Sequence, residues 1–141
     1  MPVIKVWCLP QLEETELNSL HQGIVKAVVG VYGLGFKDEN DMACLFPTDM
    51  MKYGLGSEII IEISGLFEKP ERTPEVIKLL AFRVGLAVAE RFPKAKIECL
   101  VYSFDPENRF WSCKSYENYK EERAQASRSH IENWADSGES G

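Results

Sequence analysis

The residue best equipped for chemistry stands second in the chain, directly after the initiator methionine. Loss of Met1 would leave Pro2 with a free secondary amine. An α-amino group titrates at about 7.7–8.0 in model peptides, and an apolar pocket beside cationic groups lowers that value toward working pH. Such an amine suits general acid–base work, moving a proton beside a carbonyl. Arg83 lies between apolar turns of a predicted helix, where a long side chain more often snorkels to solvent. His21 and His130 have no Ser or Cys partner in a recognisable motif, so no hydrolase triad is indicated. Cys8, Cys44, Cys99 and Cys113 are widely separated without a C-x-x-C, which argues against a structural zinc site or a disulfide framework. No metal or cofactor is expected. The segment Gly30-Val-Tyr-Gly-Leu-Gly35 is glycine-rich but follows a helix, whereas a dinucleotide-binding loop follows a strand; it reads as a helix stop and turn.

The elements that must position these residues can be read from periodicity. Residues 2–9 alternate as a β-branched strand, with Pro2 at its first position, where no ladder hydrogen bond need be donated. Residues 13–32 switch to helical spacing, with Leu17, Leu20, Ile24, Ala27, Val28 and Val31 on one stripe. Glu13, Glu14 and Glu16 favour the positive end of that helix, and Gly33 and Gly35 close it. Short strands follow at Met42–Phe46 and, after a polar loop, at Glu58–Leu66. Thr73 caps a second helix over 74–92 with Pro74 at its first position, and Ile97–Phe104 forms a fourth strand before an Asp-Pro turn.

Strand, helix and strand therefore occur twice. The expected fold is α+β: two β-α-β units in tandem, with right-handed crossovers, forming a four-stranded mixed sheet with both helices on one face. Its other face is not consistently polar, which points to oligomerisation. The expected domain covers 1–113, and 114–141 is a polar C-terminal tail, partly helical or disordered. The whole chain has 141 residues, 45% hydrophobic and 27% charged, and a net charge of −6 from 16 Lys+Arg against 22 Asp+Glu. An acidic balance excludes the phosphate-contact surplus of a nucleic-acid binder. No apolar run approaches the roughly 20 residues needed to span a bilayer, and the N-terminus lacks the layout of a signal peptide. A cytoplasmic protein without nucleic-acid or membrane partners is expected.

Met1-Pro-Val-Ile-Lys-Val6, leading into a strand and two β-α-β units, resembles the start of the tautomerase superfamily. Its members include 4-oxalocrotonate tautomerase, 5-carboxymethyl-2-hydroxymuconate isomerase and macrophage migration inhibitory factor. The similarity spans about residues 2–112. Phe46-Pro-Thr-Asp-Met-Met-Lys-Tyr-Gly-Leu-Gly-Ser57 is similar to the loop after the second strand of the first of these, and Asn108-Arg-Phe-Trp111 to an Asn-x-x-Trp near the C-terminus of the last. The resemblance implies a cofactor-independent isomerase, usually a homotrimer. In it Pro2 acts as the general base on a 2-hydroxydienoate or 2-keto acid, Tyr53 and Trp111 form aromatic walls, and Lys37 or Arg109 grips the substrate carboxylate. Two arginines of the family fall on Cys44 and near Leu12, and this motivates an alternative: a non-catalytic trimeric binding protein of the same fold.

Overall fold

The computed structural model describes residues 1–47, 56–110, 115–118 and 120–127. Six main elements follow one another: β1 (Val3–Trp7), α1 (Glu14–Val29), β2 (Ala43–Leu45), β3 (Glu58–Phe67), α2 (Pro74–Arg91) and β4 (Lys96–Phe104). The chain divides into two compact units, Met1–Glu107 and Asn108–Gly141. In the second, residues 116–118 and 120–127 are helical. No helix among the described residues is long and apolar enough to cross a membrane.

The four strands form one sheet in the order β2-β1-β3-β4. β1 runs parallel to β2 and β3 parallel to β4, so each half is a β-α-β unit. The halves join antiparallel through β1 and β3, with Val3 opposite Ser64 and Trp7 opposite Ile60. The sheet is mixed and carries two such units, as the repeated pattern predicts.

Alternation explains why these segments became strands. Ile4 and Val6 of β1 and Ile59, Ile61 and Ile63 of β3 turn to one face and are buried there. The buried side chains of α1 (Leu20, Ile24, Val25, Val28) and of α2 (Leu80, Val84, Val88) join the same core. On the opposite face Lys5 stands in register with Glu62, and its Nζ lies 5.9 Å from the Trp7 ring centroid. Leu45 and Tyr102 are about half exposed at 47% and 50%. Opposed charges and aromatics in register favour pairing across strands, but this face is neither fully polar nor covered.

β1 and α1 are shorter than periodicity suggests, for local reasons, whereas β3 and β4 each run one residue longer. β1 ends at Trp7 because Cys8 takes φ +70°, a left-handed conformation that a strand cannot continue through. α1 stops at Val29 with Gly30 as its cap, so Val31 packs in the core from beyond the helix. The cap at Thr73 forms as predicted, its hydroxyl accepting the Val76 N–H at 3.4 Å.

Burial decides which truncations are costly. Ile61, with no exposure in a central strand, is expected to cost about 3 kcal/mol as Ile61→Ala. Leu86, 46% exposed on α2, should cost under about 1 kcal/mol as Leu86→Ala. Equilibrium urea denaturation at one protein concentration measures both.

Two core thiols give a pH dependence. Burial pushes the Cys44 thiol from its ordinary 9.0 up to about 11, and that of Cys99 from 9.0 up to about 12. The folded state therefore holds these protons where the unfolded chain has released them. Their contribution is fully present below pH 9 and is lost as pH climbs toward 11 and 12. Between about pH 8.5 and about pH 10.5 the urea midpoint of the wild type should fall further than that of a Cys44→Ala, Cys99→Ala double variant.

Candidate functional site

Pro2 opens β1 and is buried, while Met1 before it is 62% exposed. The Pro2 carbonyl accepts the Ala43 N–H at 3.0 Å, which ties the start of β1 to the start of β2. Across the antiparallel pair lies the end of β3. There the register with β4 shifts between Ile63 and Leu66, around Gly65 at φ +75°. This bulge moves the inward-facing set from Ile59, Ile61 and Ile63 to Leu66, and it leaves Gly65 beside the N-terminus.

A cavity of about 320 Å³ opens against Pro2. β3 supplies Gly65 and Phe67, the segment after it supplies Lys69 and Arg72, and the stretch after α1 supplies Gly35, Phe36, Asn40 and Asp41. Phe67 is held edge-on by Phe104, with ring centroids 5.1 Å apart at 81°. Asp41 is held by its own turn, its Oδ2 accepting the Lys37 backbone N–H at 2.7 Å, and Asp38 Oδ1 accepts the Asn40 N–H at 2.8 Å. These two aspartates form a capping box at the Glu39–Asp41 turn.

Arg72 is the organising cation. Its Nη1 donates to the Phe67 carbonyl at 2.8 Å and its Nη2 to the Leu34 carbonyl at 3.3 Å. The guanidinium lies 5.3 Å from the Phe36 ring centroid. Its Nε is buried without a hydrogen-bond partner among the described residues. Burial lowers its pKa and the nearby Glu71 charge raises it in part. The group stays cationic at neutral pH, since an arginine titrates far above that range. The site thus combines a proline, a partly desolvated arginine, a lysine, an aspartate and two phenylalanines. Such a set can hold a small anion against an apolar wall.

The residues expected from the sequence distribute unevenly. Pro2 is central. Lys37 lines a neighbouring cleft of about 420 Å³ with Gln22, Lys26, Val29 and Asp38, which shares Asn40 with the Pro2 cavity that Phe36 lines. Arg109 is exposed and belongs to the second unit. Tyr53 and Trp111 lie outside the described residues. Sequence reasoning missed Arg72 and Lys69. The signal available for them was position: both cations stand between the end of a strand and the Thr73-Pro74 helix start, where a chain turns at the edge of a sheet. Among the described residues no three His, Cys, Asp or Glu side chains gather to hold a metal ion.

Neither a family model nor a curated protein sequence matches the chain significantly. Solved structures do resemble it. A fused 4-OT, described as an asymmetric trimer, superposes with TM-score 0.61 at 14% identity, over 83% of this chain and 98% of that one. A malonate semialdehyde decarboxylase inhibited by 3-bromopropiolate gives 0.53 at 15% identity, over 86% and 96%. A macrophage migration inhibitory factor-like protein from Entamoeba histolytica gives 0.53 at 14% identity, over 79% and 93%. With two β-α-β units joined antiparallel through the strand that Pro2 opens, and with these structural neighbours, the chain has the fold of the tautomerase superfamily.

Proposed function

We propose that this protein is a cofactor-independent tautomerase or isomerase that moves a proton on a 2-hydroxydienoate or 2-keto acid, with Pro2 as its base once Met1 is removed. The observation that carries the reading is the burial of Pro2 against a cavity that also holds Arg72 and Lys69. Burial and the cations Arg72 and Lys69 favour the neutral amine, the form that can accept a proton, while Asp41 in the same lining acts in the opposite sense. Arg72 and Lys69 are placed to bind the substrate carboxylate and to stabilise the dienolate that forms when the proton leaves. Fixed cations in a low-dielectric pocket do this without reorganisation. Pro2 takes a proton from the 2-hydroxyl or the α-carbon and returns it at another carbon of the conjugated system, so no net proton or electron is consumed. Phe36 and Phe67 exclude water from the apolar side.

Assembly is proposed to be a homotrimer acting in the cytoplasm; the fused 4-OT it resembles is described as an asymmetric trimer. The half-apolar sheet face with Trp7, Leu45 and Tyr102 supports association. By resemblance, Tyr53 and Trp111 are assigned as further aromatic walls, and Lys37 and Arg109 as further cations. A second reading, a non-catalytic binding protein of the same fold, is favoured by one observation: both terminal nitrogens of Arg72 are already bonded to backbone carbonyls.

Enol–keto conversion of 2-hydroxymuconate and phenylenolpyruvate separates the readings, using protein whose loss of Met1 is confirmed by mass. Pro2→Ala is expected to lower kcat by at least about 100-fold. Arg72→Lys keeps the charge but not the planar fork and should raise KM about tenfold. Rates equal to wild type in Pro2→Ala, or none above buffer for either protein, would overturn the proposal in favour of the binding protein.

A further inference from the structure

The bulge opposite Pro2 has a steric consequence for what the amine can reach. Gly65 sits at φ +75° in β3, one position beyond Ser64, the residue paired with Val3. A Cβ at this glycine would stand 2.6 Å from the Met1 carbonyl oxygen, 3.5 Å from the Met1 carbonyl carbon and 3.5 Å from the Pro2 Cα. All three are backbone atoms, so no side chain can swing aside to make room.

The Met1 carbonyl marks more than a crowded spot. Its carbon is bonded to the Pro2 nitrogen, so amide geometry holds its oxygen about 2.2 Å from that nitrogen. Removal of Met1 empties this place, which then lies beside the amine where a reacting atom must approach. At present a flat sp² group fills it, close against Gly65, and Met1 and Gly65 both line the cavity that holds Arg72 and Lys69.

Resting on the proposed proton transfer at Pro2, we infer that Gly65 is a specificity-determining residue: its missing Cβ leaves a gap that admits a planar, unbranched reacting end of a carboxylic acid and rejects a branched tetrahedral one. Backbone conformation alone would also call for glycine here, because few side chains tolerate positive φ. Asparagine tolerates it better than alanine yet still carries a Cβ, so the two substitutions separate strain from steric blockade.

The test uses the Met1-free protein and the variants Gly65→Ala and Gly65→Asn. Folding is followed by circular dichroism and urea midpoint. Access of a slim linear reagent is followed by the rate at which cyanate carbamylates Pro2. Both variants are expected to keep the carbamylation rate within about twofold while kcat/KM for phenylenolpyruvate falls about 100-fold. In the wild type, flat fumarate should compete with substrate at least about tenfold more tightly than the branched 2,2-dimethylsuccinate. That comparison decides the matter without any variant, should both variants fail to fold. Turnover at the wild-type rate in a folded variant, or equal inhibition by the two diacids, overturns the inference while Pro2 remains the base. A wild type whose turnover survives Pro2→Ala overturns the proton-transfer reading and this inference with it.

Discussion

The antiparallel pairing of β1 with β3 is the contact on which the candidate site depends. Among the described residues it is the one strand pair that joins the two β-α-β halves, and its register sets Val3 against Ser64. The part of the cavity that β3 and the segment after it supply follows from that alignment, while Gly35, Phe36, Asn40 and Asp41 are brought in beside the pairing of β1 with β2. Pro2 precedes Val3 and so lies by Gly65, and the chain leaving β3 then brings Phe67, Lys69 and Arg72 to the same end. Side-chain direction in a strand repeats every second residue, so a one-residue slip would turn Ile4 and Val6 out of the core. The fully buried Ile4, Val6, Ile61 and Ile63 make that slip prohibitive. Packing of the apolar face thus fixes the geometry of the polar end.

Arg72 shows how such a site can hold a charge where solvent is scarce. Desolvation opposes the cation, and the bonds to the Phe67 and Leu34 carbonyls offset part of that cost. Those bonds also stitch the end of β3 to the segment that follows α1. One side chain therefore both closes the wall and supplies its field, and the same burial strengthens its attraction for an anion in the cavity. The tether restricts it as well. Two donors are committed to the backbone, and the guanidinium is oriented by them over the Phe36 ring.

Much of the fold was legible because period-2 and period-3.6 patterns change cleanly along the chain. Ile59, Ile61 and Ile63 mark β3, Leu80, Val84 and Val88 mark α2, and Thr73-Pro74 marks where α2 begins. Pro2 could be singled out because Met1-Pro2 leads into a β-α-β pattern that resembles the tautomerase superfamily. The cations could not be placed in the same way. Lys37 and Phe36 are adjacent in sequence yet line two neighbouring clefts that meet at Asn40, beside the turn where Asp41 accepts the Lys37 N–H. Arg72 reads as one more charge before a helix until the sheet brings Leu34, thirty-eight residues away, within reach of its Nη2. Gly65 breaks the alternation of β3 in plain view, but its meaning depends on Met1 and Pro2 across the strand pair. Periodicity identifies elements; contacts between distant segments need the sheet order.

The N-terminus is built so that losing one residue changes its chemistry and little of its structure. With Met1 attached, the Pro2 nitrogen is a tertiary amide whose lone pair is delocalised into the carbonyl, and it is no base. The anchoring groups lie on the other side of that bond: the Pro2 carbonyl holds the Ala43 N–H, and Ile4 and Val6 hold β1 in the core. Met1 itself is mostly exposed, and its carbonyl crowds the place where a Cβ of Gly65 would stand. Cleavage would therefore free an amine at a position already fixed by the remaining contacts, next to a cavity whose cations disfavour its protonation.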